Sequence, residues 1–159
     1  MEISETDLQR LRESSGLSLD AEGRFFVRGE PVEHERTHLV LTQGLHRAAD
    51  GRWATRIGRE WAYVEVQDVA RFVRRIEPLL DDAQPGRLIA WLTSGEEQIV
   101  QARNFSGGTG DALYVQLPDG EKARLSRAAQ LSLSEYLRED EHGVGIELQG
   151  VRYEIPHAG

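Results

Sequence analysis

Residues His34-Glu35-Arg36-Thr37-His38 match the pattern H-E-x-x-H. On a helix this spacing places two imidazoles on one face, where they can bind zinc while the glutamate serves as general base of a hydrolase. The surrounding sequence argues against that chemistry. Arg36 would set a long cation beside the ion. A third ligand would have to be Glu60, Glu65 or Glu77, each expected on or beside a strand. No Gly and His follow at the spacing of the extended motif. The alternative is that His34 and His38 continue the stripe Leu41, Leu45, Ala48 as half-exposed helix residues. The expectation is therefore no cofactor, with zinc at His34 and His38 and Glu35 as base as the alternative.

A second candidate is the run Asn104-Phe-Ser-Gly-Gly-Thr-Gly110. Its backbone N–H groups can cradle a phosphate, but it lacks the Gly-Lys-Ser/Thr ending and leads into a strand, which favours a hairpin loop. His46, His142 and His157 lie near turns or the tail and read as surface residues, and Glu139-Asp-Glu141 reads as a solvated helix end. A third group is aromatic. Trp53, Trp61, Tyr63 and Trp91 are expected on strands, and most such side chains serve the core because each buries much apolar area. Any left partly exposed mark a binding surface. Arg56, Arg59, Arg74 and Arg75 fall on or beside neighbouring strands, where they can form an anion site or face solvent.

Positioning these residues requires elements, and their order repeats. Leu39, Leu41, Leu45 and Gly51 recur at one constant offset as Leu131, Leu133, Leu137 and Gly143. Two strand-like runs follow each glycine, and Tyr63 and Tyr153 align once two residues are deleted from the second turn. Where the first helix carries its histidines, the second has Ser126, Arg127 and Gln130. Self-similarity at a fixed offset sets the architecture, so the expected fold is α+β: duplicated small domains, each an antiparallel meander or roll packed on one main helix. Helices are expected over 5–14, 33–48 and 127–139. A first domain should span 1–77, a Pro- and Asp-bearing linker 78–86, and a second domain 87–159.

Composition narrows the function. The 159-residue chain carries a net charge of -8, which repels phosphate backbones and makes indiscriminate nucleic-acid binding unfavourable. It has no cysteine, which excludes disulfides, thiolate metal sites and cysteine nucleophiles and fits a reducing cytoplasm. The first ten residues are acidic, unlike a secretory signal, and no run approaches the roughly 20 apolar residues of a membrane span.

The run from Asp20 to Val32, then Leu39-Val-Leu and Leu45, then Asp50-Gly-Arg-Trp53 and Thr55 to Val69 resembles the bacterial domain-of-unknown-function family twelve-eighty-five. The likeness covers about residues 19–76. It implies a duplicated fold with a pleckstrin-homology-like C-terminal half, a ligand site between domains and a role in signal transduction. It lends no catalytic residues.

These observations lead to a non-enzymatic ligand-binding or adaptor module. Its site is expected in the groove between the halves, lined by Trp53, Arg56, Arg59, Trp61, Arg74 and Trp91. The partner would be a small anionic ligand or a protein. The alternatives are the zinc-dependent hydrolase and a nucleotide or nucleic-acid binder acting through the arginine-bearing strands.

Overall fold

The computed structural model describes residues 12–157, and the chain divides into two compact units, Met1–Ala70 and Arg71–Gly159. Apart from its last residues, the helix expected over 5–14 lies outside the described residues.

The first unit contains β1 (Leu17–Leu19), β2 (Phe25–Val27), β3 (Glu30–Pro31), α1 (Glu35–Gln43), β4 (Leu45–Arg47), β5 (Trp53–Ile57), β6 (Glu60–Tyr63) and β7 (Glu65–Val66). They form a four-stranded sheet, β3-β2-β1-β7, and a three-stranded one, β4-β5-β6. Leu19, Phe25, Leu41, Ala54 and Val64 make the buried interior. Thr55, the buried polar side chain, donates its hydroxyl to the Leu41 carbonyl at 2.8 Å and ties β5 to α1. A hydrogen bond of this kind contributes about 1 kcal/mol and leaves no acceptor stranded in the interior.

Helix α1 is shorter than the expected 33–48. At Gly44 the chain passes so close to β5 that a Cβ would sit 2.3 Å from the Arg56 carbonyl oxygen, and the Arg56 N–H donates to Gly44 O at 3.1 Å. The contact ends the helix, and Leu45 enters a strand opposite Thr55.

The second unit contains β8 (Arg71–Leu79), β9 (Arg87–Leu92), β10 (Glu97–Gln101), β11 (Phe105–Gly107), β12 (Leu113–Gln116), β13 (Lys122–Leu125), α2 (Arg127–Leu133), β14 (Leu137–Asp140), β15 (Gly143–Leu148) and β16 (Val151–Glu154). A six-stranded sheet runs β10-β9-β8-β13-β12-β11 and a three-stranded sheet runs β14-β15-β16. One core joins both sheets and α2. Leu88, Ala90 and Leu92 alternate inward along β9, and Phe105, Val115, Leu125, Leu133 and Ile146 close over them. Helix α2 starts where Ser126 accepts from the Ala129 N–H at 3.1 Å. It ends earlier than expected, because a 3-10 turn at Ser134–Tyr136 leads Leu137 into β14 opposite Ile146.

The α+β class is as expected, but two details differ. The sheets are not purely antiparallel meanders, since β1 pairs parallel with β7 and β13 parallel with β8. The boundary also falls earlier than 78–86. Pro78 and Leu79 pair with Leu88 and Arg87 in neighbouring strands, so the Pro- and Asp-rich stretch is a hairpin connection inside the second unit. Its Gly86 is buried at φ 81°, and a side chain there would meet the Tyr153 hydroxyl at 2.5 Å.

The tyrosine alignment shifts by one. Thr55 lies between Leu45 and Ala62, as Ile146 lies between Leu137 and Tyr153, which places Tyr63 opposite Ala54 and Tyr153 opposite Ile146. The two tyrosines therefore occupy different ladder positions.

Candidate functional site

In the H-E-x-x-H segment, His34 is the exposed residue preceding α1 and makes no side-chain cap. His38 Nε2 lies 3.0 Å from the Gly23 carbonyl. A carbonyl only accepts, so this nitrogen carries the proton and is not offered to a metal. The other ring nitrogen lies 3.4 Å from Thr42 Oγ1, and the ring packs edge-on against Phe25 with centroids 5.3 Å apart. The histidine joins α1 to the neighbouring sheet. Among the described residues, no group of three His, Cys, Asp or Glu side chains is placed to share a metal ion.

The tryptophan and arginine candidates divide between the units. Trp53, Arg56, Arg59 and Trp61 belong to the first, and Arg74 and Trp91 to the second. Arg56 stands directly opposite Trp61, so they share a face of the β4-β5-β6 sheet, while Trp53 stands opposite Arg47 on the other face. The two tryptophans therefore do not line one surface. Arg59 is exposed in the β5–β6 turn, and Arg74 is exposed at the bulge in β8.

Intramolecular cations cover the aromatic faces. The guanidinium carbons of Arg12, Arg47 and Arg75 lie 4.1, 4.2 and 4.7 Å from the ring centroids of Trp61, Trp53 and Trp91. Arg75 also donates Nε to Glu77 at 3.0 Å, which answers one of the cations expected to form an anion site.

Arg52 lies 3.6 Å from the Tyr63 centroid and donates Nε to Asp50 Oδ2 at 2.9 Å, while Tyr63 donates its hydroxyl to the same oxygen at 2.7 Å. The Arg52 hydrogen bond, followed by that from Tyr63, holds the Asp50 carboxyl down to about 2. A carboxylate with a lowered folded value stabilises the fold above its unfolded value of about 3.9 and loses that contribution as pH falls through its folded one. The carboxyl of Asp50 should thus titrate near 2 by NMR and move upward in Tyr63→Phe. Titration at the ordinary aspartate value in the wild-type chain would contradict the network.

A cleft of about 790 Å³ opens entirely within the second unit. The glycine loop contributes Gly107, Gly108, Gly110 and Asp111. Helix α2 contributes Arg127, Gln130 and Leu131 and the 3-10 turn after it Ser134; the β14–β15 hairpin contributes Leu137, His142, Gly143 and Val144; the end of β16 and the segment after it contribute Glu154, Ile155, Pro156 and His157. Leu131 is 69% exposed there.

The Gly107 N–H donates to the Pro156 carbonyl at 2.8 Å, and the Gly108 N–H to the Ala112 carbonyl at 2.9 Å. The first bond ties the glycine loop to the segment after β16, and the second closes the loop on itself. Glu154 is engaged by Arg152 at 2.6 Å, whereas Arg127 and Asp111 form no ion pair among the described residues. Ser134 donates its hydroxyl to the Leu131 carbonyl at 2.6 Å and so is not presented as a nucleophile to either histidine.

The glycine run and two of the histidines are thus brought together here, although the sequence treats them as unrelated loop and surface residues. Leu131 is the residue that sequence reasoning missed, because its place in a leucine stripe marks it as core. No helix among the described residues is long and apolar enough to cross a membrane.

The sequence matches no family model and no curated protein. Two solved structures resemble the fold. One is a DUF1285 family protein from Silicibacter pomeroyi DSS-3, with a TM-score of 0.65 and 15% identity over 90% of this chain and 80% of that one. The other is a DUF1285 family protein from Shewanella baltica OS155, with a TM-score of 0.54 and 20% identity over 76% of this chain and 91% of that one. At such identities the likeness is one of architecture: this chain has a DUF1285-like fold, in keeping with the family that its N-terminal half resembles.

Proposed function

We propose that the chain is a non-enzymatic ligand-binding module whose site is the cleft of the second unit. The observation that carries this reading is Leu131, a large apolar side chain left 69% exposed inside a cleft of about 790 Å³. That volume lies within the range of about 300 to 1,000 Å³ typical of small-molecule sites. Leu137, Val144, Ile155 and Pro156 add apolar wall, and Arg127 supplies a cation at the same cleft. The ligand best suited is a small molecule with an apolar body and an anionic group.

An internal duplication belongs to the same proposal. In each unit a short helix precedes a three-stranded antiparallel meander, α1 before β4-β5-β6 and α2 before β14-β15-β16. Leu41 and Leu133 are buried while Leu39 and Leu131 are exposed, which supports equivalent helix faces. In this reading the second copy gained the cleft. A pleckstrin-homology-like ancestry for the second unit and an adaptor role in cytoplasmic signalling follow from the family resemblance, with occupancy of the cleft as the signal.

Anilinonaphthalene sulfonate, an apolar anion, tests the site. Its fluorescence should rise saturably with the wild-type chain. Leu131→Asp should abolish most of the rise while leaving the unfolding midpoint unchanged, because the residue is already largely solvated. Undiminished binding by that variant would remove the cleft from consideration.

A further inference from the structure

A smaller recess of about 410 Å³ lies on the outer face of β11-β12-β13, lined by Arg103, Asn104, Ser106, Gln116 and Lys122 with Phe105 and the Gly120 turn. We propose that it binds a phosphoryl group. Its placement follows from strand register. Ser106 stands opposite Tyr114 and Gln116 opposite Lys122, so all four share one face, while Phe105, Val115 and Ala123 fill the core on the other.

What distinguishes this recess is that its polar groups serve nothing else. Among the described residues, the side chains of Arg103, Asn104, Ser106, Gln116 and Lys122 form no hydrogen bond or ion pair with the protein. Lys122, the chain's one lysine, is steered over the Tyr114 ring, with Nζ 4.8 Å from the centroid, and not toward a carboxylate. The nearby turn carboxylate is occupied: Asp119 accepts from the Glu121 N–H at 2.8 Å and faces Arg71 at 3.9 Å.

Two unpaired cations beside a hydroxyl and two carboxamides match a tetrahedral oxyanion, which offers several acceptors to a guanidinium fork and an ammonium. The chain's net charge of -8 opposes diffuse attraction of polyanions, so affinity must come from this local geometry. The glycine-rich run separates the two sites. Its first half, Asn104 and Ser106, lines this recess, and its glycines line the apolar cleft. The inference stands independently of that cleft.

Pyrophosphate titrated into the full chain, followed by amide NMR, provides the test. Saturable shifts should be confined to residues around Asn104, Ser106, Gly120 and Lys122. The double variant Arg103→Gln/Lys122→Gln should weaken binding by about tenfold or more, as expected for two lost charge-assisted contacts. Lys122→Arg should retain binding, and Arg127→Gln, at the other cleft, should not alter it. Flotation with phosphatidylcholine vesicles containing phosphatidic acid distinguishes the source. Capture lost in the double variant assigns a lipid-borne phosphoryl group; pyrophosphate binding without capture assigns a soluble one. The proposal is overturned by shifts that persist in the double variant, by shifts scattered over the surface, or by no saturable response to either probe.

Discussion

Alanine in place of Gly44 should destabilise the first unit by about 3 kcal/mol, the upper end of the usual cost of overpacking. The added methyl would stand 2.3 Å from the Arg56 carbonyl oxygen, 2.8 Å from the Arg56 nitrogen and 2.9 Å from Thr55 Oγ1. Two of these three atoms are backbone, so no rotamer change relieves the contact. Moving β5 away would stretch the hydrogen bond from Arg56 N–H to Gly44 O and the buried one from Thr55 to Leu41 O. Gly44 has φ -83°, a conformation alanine adopts readily, and alanine's helix preference offsets only about 1 kcal/mol. Urea unfolding combined with amide exchange between Leu41 and Thr55 measures the loss. An alanine variant with an unchanged midpoint would show that α1 and β5 have more room than this crossing implies.

That crossing also shows why parts of the fold were legible and others were not. The α+β class and the start of α2 at 127 were legible in the sequence, because the helical leucine stripe and its neighbouring turns act over a few residues. The helix ends depended on contacts distant in sequence. Leu45 and Leu137 sit at helical spacing from Leu41 and Leu133, yet each begins a strand, since β5 and β15 claim their backbones. The parallel pair β8–β13 brings Arg71–Leu79 into the second unit, a long-range pairing that no local signal announces.

The candidate sites follow the same division. Trp53 and Trp61 were grouped by residue type, but strand register puts them on opposite faces, and neighbouring arginines stack on both. The cleft is assembled from four segments between residues 107 and 157 that share no motif. Its nearest sequence signal was the glycine run, whose phosphate-cradling potential reappears in the side chains of Asn104 and Ser106 at the neighbouring recess.

Within α2, Leu133→Ala should cost about 3 kcal/mol, whereas Leu131→Ala should stay within about 0.5 kcal/mol of wild type. Both leucines come from the repeated stripe, and composition alone does not separate them. Residues two apart on a helix point in nearly opposite directions. Leu133 is 0% exposed in the core shared with Ile146 and Phe105, while Leu131 is 69% exposed at the cleft. Truncating the first leaves a cavity among close-packed neighbours, and truncating the second removes surface that water already touches. Binding should invert the order: Leu131→Ala weakens the response to anilinonaphthalene sulfonate without changing the melt, and Leu133→Ala lowers the melt while the folded fraction still binds. Equal destabilisation by the two substitutions would mean that Leu131 packs into the fold, and the cleft would lose the apolar residue on which its assignment as a ligand site rests.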